Sequence, residues 1–239
     1  MLSHSADTTR GHVLLVSAPL FSYHISISES LQSMGYIVTW WDDRASSSVL
    51  YKVLLRLFPI LTVKYSESYY LKRLEHIDPK VVTHVLVIKG EGLSSKLVTK
   101  FREYFPAASM GLYLWDGVKN VKGALRIYSA FDSVATFDPV DAKRYNWTHR
   151  PLFVRNTSNK IDTAKPKDYD VCFIGTIHSD RHRVLHRLRN KYGPSLRMYI
   201  FAYFQSPIIL FIRFFFDWTL FGAPKNTIKL TPLLLGSGS

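Results

Sequence analysis

Apolar residues recur along the chain in short unbroken runs, separated by stretches with a helical rhythm. His12-Val13-Leu14-Leu15-Val16-Ser17-Ala18 is a β-branched and aliphatic run, the pattern of a strand buried on both faces. Ile27, Leu31 and Met34 then fall at i, i+4 and i+7, and Gly35 stands where a helix would be capped. Tyr36 to Trp41 predicts a second strand, closed by Asp42-Asp43-Arg44. Strand, helix and strand within about 30 residues make one βαβ unit, whose crossover is expected to be right-handed.

The alternation continues. Val49 to Phe58 and Ser66 to His76 predict helices, with Pro59 as a break between them. His84 to Gly90 predicts a third strand, Leu93 to Tyr104 a helix, and Met110 to Asp116 a fourth strand. Val118 to Tyr128 predicts a helix weakened by Gly123, Ser133 to Asp138 a fifth strand, and His149 to Arg155 a sixth. Such alternation implies an α/β fold, a doubly wound parallel Rossmann-like sheet, over residues 1–156. Residues 157–168 carry lysines and Pro166 without apolar rhythm, and read as a linker. The pattern restarts with a strand over Tyr169 to Thr176, a basic helix over Ser179 to Tyr192 and a strand over Leu196 to Phe201. Residues 169–230 therefore predict the beginning of a second Rossmann-like domain, and residues 231–239 a tail.

Tyr199 to Phe221 is almost wholly apolar or aromatic and near the usual transmembrane length of about 20 residues. Pro207, Gln205-Ser206, Arg213 and Asp217 interrupt it, and a charge at mid-membrane is costly. A buried strand-turn-helix is the leading reading. A membrane-surface helix or an anchor over residues 199–222 is the alternative.

Composition narrows the class. The chain has 239 residues, 47% hydrophobic and 21% charged, which is the globular range. Cys172 is the one cysteine, so no disulfide framework exists, and a reducing, cytoplasmic compartment is expected. No hydrophobic signal core precedes Gly11. Two glycosylation triplets, at Asn146 and Asn156, read as polar surface. Lys and Arg number 31 against 18 Asp and Glu, a net charge of +13, which calls for an anionic partner. An anionic membrane surface and phosphorylated small molecules fit that demand. Nucleic acid is not expected, because no recognition motif accompanies the charge.

The chemistry-bearing residues stand where strands end: Tyr23 and His24 after the first, Asp42-Asp43-Arg44 after the second, and Lys89-Gly90-Glu91-Gly92 after the third. Trp115-Asp116 close the fourth strand, and Asp138 the fifth. In an open parallel sheet these ends share one edge, where ligands bind. Each has a bland alternative: Asp42, Asp116 and Asp138 suit helix caps, and His24 suits packing on its own helix. Gly175-Thr176, followed by His178, Asp180 and Arg181, predicts a second site in which a helix N-terminus meets phosphate. It lacks the dinucleotide fingerprint. The arginines that follow read more simply as a solvated face. There is no metal-ligand set, P-loop or nucleophile elbow.

Five phrases, His12 to His24, Val85 to Gly92, Leu112 to Lys119, Thr136 to Ala142 and Tyr169 to Arg181, together resemble CgeB-like or lipopolysaccharide-biosynthesis glycosyltransferases of GT-B architecture. The resemblance spans roughly residues 12–230. It implies transfer of a sugar from a nucleotide-sugar to a glycan or lipid-linked acceptor, with no cofactor or metal, at the inner membrane surface. On that resemblance Tyr23, Arg44, Lys89, Trp115 and Asp138 would face the acceptor. His24, Asp116 or Glu91 would be the general base, and Gly175, Thr176, His178 and Arg181 would hold the donor phosphate. Further βα units expected after Gly222 are missing, so the donor half would be truncated and activity poor. A non-catalytic α/β module that holds a sugar or phosphate is the alternative.

Overall fold

The computed structural model describes residues 9–46, 48, 51, 58–121, 123–153, 166–176, 181–193 and 195–203. The predicted helix over 49–58, His178, most of the linker, the aromatic run beyond 203 and the tail lie wholly or largely outside them. The chain divides into two units, residues 1–156 and 157–239.

In the first unit the elements alternate. They are β1 (Gly11–Val16), α1 (Tyr23–Ser33), β2 (Tyr36–Trp41), α2 (Pro59–Leu74), β3 (Val82–Ile88) and α3 (Ser95–Tyr104). There follow β4 (Ser109–Leu114), α4 (Ala124–Ile127), β5 (Ser133–Thr136), α5 (Pro139–Tyr145) and β6 (Thr148–His149). The six strands form one parallel sheet in the order β2-β1-β3-β4-β5-β6, flanked by helices. This is the doubly wound Rossmann-like fold that the alternation predicts.

The unbroken apolar run of β1 has a direct cause: Leu14, Leu15 and Val16 are all fully buried, because both faces of the strand are covered. Leu14 and Val16 join Val85, Val87, Met110, Leu112 and Leu114 in one layer of the core. Tyr70 and Leu74 of α2, Leu97, Val98 and Phe101 of α3, and Ala124 and Ile127 of α4 complete it. Phe101 sits among the rings of Trp41, Tyr70 and Phe105. Each such side chain contributes roughly 1.5–3 kcal/mol by burial. Ser94 caps α3 by accepting from the Leu97 amide, 3.2 Å away.

Several boundaries move from expectation. Pro59 begins α2 rather than breaking the chain before it, since at the first helical position the missing N–H costs nothing. The helix expected over Val118 to Tyr128 shrinks to α4 and a 3-10 turn, Tyr128–Ala130. The Asp141 carboxylate accepts from the Val118 amide at 2.7 Å and holds the preceding segment as a turn. The sixth strand keeps two residues, and Pro151, with no N–H to give, follows it. Met34 caps α1 and is exposed instead of extending its apolar stripe.

In the second unit, β7 (Val171–Thr176), α6 (Arg181–Tyr192) and β8 (Met198–Tyr203) follow one another, and β7 pairs with β8 in parallel. Asp170 fastens their entry: its carboxylate accepts the Arg197 amide at 2.8 Å and pairs with the guanidinium at 3.2 Å. The first residues of the aromatic run, Tyr199 to Tyr203, are strand. Among the described residues no helix is long and apolar enough to cross a membrane.

Candidate functional site at the carboxyl edge of the sheet

The strand order sets β2 on one side of β1 and β3 on the other. Right-handed crossovers then send the chain to opposite faces after β1 and after β3, opening a crevice between them. The residues at this edge come from every strand end.

Lys89 is the centre of the polar part. Its backbone, at φ 69, lies in the left-handed region, and Gly90 follows at φ 67. A non-glycine residue there costs roughly 1–2 kcal/mol. The conformation is held by the Lys89 amide, which donates to the Tyr113 carbonyl at 2.9 Å, and by two ion pairs. The ammonium lies 3.0 Å from Asp116 Oδ2 and 3.5 Å from Glu91 Oε2. Lys89, Glu91 and Asp116, three of the residues singled out in the sequence, therefore meet as one cluster.

The aromatic part stands beside it. Tyr23, Trp115 and Phe153 form a triangle, with ring centroids 5.9, 5.3 and 6.4 Å apart. Phe21 adds a fourth ring on the edge of Tyr23, at 5.8 Å. Phe21 and Ser22 are consecutive residues in the left-handed region, at φ 49 and 58, and Phe21 is 68% exposed. Strain that turns an aromatic ring toward solvent at this edge does nothing for the core, and such outliers cluster at functional sites.

Asp43 forms the floor. It continues the buried phase of Trp41 at i+2, its side chain is fully buried, and Arg44 Nε pairs with Oδ1 at 3.3 Å. Oδ2 finds no hydrogen-bond partner among the described residues. Burial pushes the carboxyl up to about 6; Arg44 and Lys89 oppose the shift, and Asp42 and Glu91 add to it. Gly92 presses on this floor, since a Cβ there would lie 2.0 Å from the Asp43 carbonyl oxygen. The Tyr70 hydroxyl donates to the Asp42 carbonyl at 3.0 Å and ties α2 to the same strand end.

The remaining residues distribute as follows. His24 stacks on Trp40 at 4.3 Å, and its Nδ1 is buried without a partner among the described residues. Burial holds its pKa below the ordinary 6.5, with Asp42 pulling the other way. The Trp40 indole donates to the Ser17 carbonyl at 3.1 Å. Arg44 is held by Asp43, and its amide donates to Asp42 Oδ1. Asp138 caps α5, accepting from the Val140 and Asp141 amides. Gly175 and Thr176 lie inside β7, opposite Ala202 and Tyr203, rather than at a turn, and Arg181 begins α6. His178 lies outside the described residues.

Sequence reasoning placed Asp43 at this edge without seeing that its carboxyl turns inward, and it missed Phe21 and Phe153. Paired aspartates read as a turn, and only the i+2 relation to Trp41 hinted at an inward carboxyl. Nothing local marks Phe153, which meets Tyr23 from far along the chain.

The chain matches no protein-family model and no curated protein. Among solved structures it is similar to a response regulator from Thermotoga maritima, at 14% identity over 57% of this chain and 95% of that one, with a TM-score of 0.33. It is likewise similar to the signal receiver domain of an HD domain-containing protein from Pseudomonas fluorescens Pf-5. That match has 13% identity over 61% of this chain and 90% of that one, with a TM-score of 0.35. Likeness of this depth assigns no activity to the chain. Neither is a glycosyltransferase, and no family model or curated protein supports the expected CgeB-like or lipopolysaccharide-biosynthesis glycosyltransferase, the enzymatic sugar transfer or the truncated GT-B reading, which are not retained. The physical reason lies in the phrases that suggested it. Each is a strand with its exit loop, which any doubly wound sheet contains, so they report architecture and not chemistry.

Proposed function

We propose that the first unit is a non-catalytic α/β binding module that holds a neutral sugar at the carboxyl edge of its sheet. The carrying observation is the Lys89 ion-pair cluster standing beside the Tyr23, Trp115 and Phe153 rings. A sugar offers an apolar C–H face and a rim of hydroxyls. Aromatic rings suit the first, and pre-oriented carboxylates and an ammonium suit the second.

The charge balance favours a neutral ligand over a phosphate. Asp42, Asp43, Glu91 and Asp116 outnumber Lys89 and Arg44 at this edge, although the chain as a whole is strongly basic. An anion would meet carboxylates first, and Lys89 is already engaged by two of them.

Saturation-transfer NMR of the whole chain against neutral oligosaccharides and sugar phosphates tests this. Neutral sugars should bind, and Asp116→Asn, which removes a charged acceptor, should weaken them about tenfold or more. Trp115→Ala should weaken them comparably. Binding of sugar phosphates in preference to neutral sugars, or indifference to both substitutions, overturns the reading.

A further inference from the structure

α6 belongs to the second unit and takes no part in the site above. Its twelve residues, Arg181 to Tyr192, contain no acidic side chain. Beyond the first turn, where Arg181 lies in line with them, Val184, Leu185, Leu188 and Tyr192 recur at helical spacing and make one apolar stripe about 100° wide. At the helical period, Arg187 and Lys191 border that stripe on one side and Arg189 on the other.

An apolar stripe normally turns into a core; among the described residues this one is covered only in part, with Leu185 and Leu188 half-buried. Val184 is 46% exposed and Tyr192 39% exposed, and Arg187, Arg189 and Lys191 are exposed beside them. Lys191 lies over the Tyr192 ring at 5.1 Å, so a cation and an amphipathic ring share the border of the stripe.

We propose that α6 is an interfacial helix that docks on an anionic lipid surface, with Val184 and Tyr192 entering the headgroup region and Arg187, Arg189 and Lys191 among the lipid phosphates. An apolar face flanked on both sides by arginine and lysine is what such a surface selects. Nucleic acid would use the cations alike but would leave the exposed valine and tyrosine in water. The chain's net charge of +13 draws the whole molecule toward the same surface.

Flotation of the whole chain with vesicles is the test. It should bind vesicles of phosphatidylcholine mixed with phosphatidylglycerol, fail to bind phosphatidylcholine alone, and release partly in high salt. Removing two cations with Arg187→Gln and Arg189→Gln, both exposed, should lower the partition coefficient about thirtyfold. Val184→Asp should lower it with all the cations kept, while the far-UV circular dichroism of each variant stays that of the parent. Failure to bind the mixed vesicles, binding unchanged in these variants, or stronger binding to a duplex oligonucleotide than to the vesicles would sink the proposal.

Discussion

Asp43 concentrates the tension of this fold in one side chain. A carboxyl without exposure, with one oxygen unpartnered among the described residues, is costly to ionise. Its folded pKa, about 6, lies above the ordinary 3.8, so between those values the folded chain keeps a proton that the unfolded chain has lost. The contribution to stability is full below the lower value and disappears as pH rises through the upper one. The gap corresponds to about 3 kcal/mol at most. Asp43→Asn keeps the shape and removes the charge, so it should gain about 1–3 kcal/mol over the parent at mildly alkaline pH and little at pH 4, in urea unfolding at each pH. His24 titrates in both proteins and cancels from the difference. A gain that does not vary with pH would show that Asp43 is not the group responsible.

Between elements, the decisive contact is the one that lets the loop after β3 lie on the end of β2. Gly92 permits it, because any side chain would strike the Asp43 backbone. Gly92→Ala should therefore cost about 1–3 kcal/mol by overpacking and weaken ligand binding at this edge. Gly123 is the contrast. It leads into α4 at helical φ and ψ with open space around it, so Gly123→Ala should be neutral or stabilising by about 0.4–1 kcal/mol. Thermal unfolding of the two variants side by side checks both signs. The elements themselves were legible wherever burial on both faces forced an apolar run, as in Leu14 to Val16 and Val85 to Val87. α2 was legible only from Ser66, because Pro59 carries the same signal at a helix start as at a break. The meeting of Lys89, Glu91 and Asp116 followed from strand order alone. The inward turn of Asp43 and the approach of Phe153 did not, since both depend on tertiary packing that no local pattern encodes.

At the scale of the whole molecule, the described core of the first unit draws on residues between Leu14 and Phe131. A fragment of residues 1–156 should therefore fold alone, with one cooperative urea transition and the same sugar preference as the full chain. A fragment that stays unfolded would show that residues beyond 156 are needed for stability. The first unit gathers carboxyls at its sheet edge, and the second presents α6 without one. The place of β1 between β2 and β3 has a further consequence, in time rather than in space. Its β3 neighbour lies about 70 residues downstream, as the His12 to Thr83 contact shows. During synthesis β1, α1 and β2 must wait, with one strand edge open, until Ile88 has left the ribosome. The nascent chain thus passes through an interval in which its most apolar strand is a template for foreign pairing, and chaperone demand should peak before the third strand arrives.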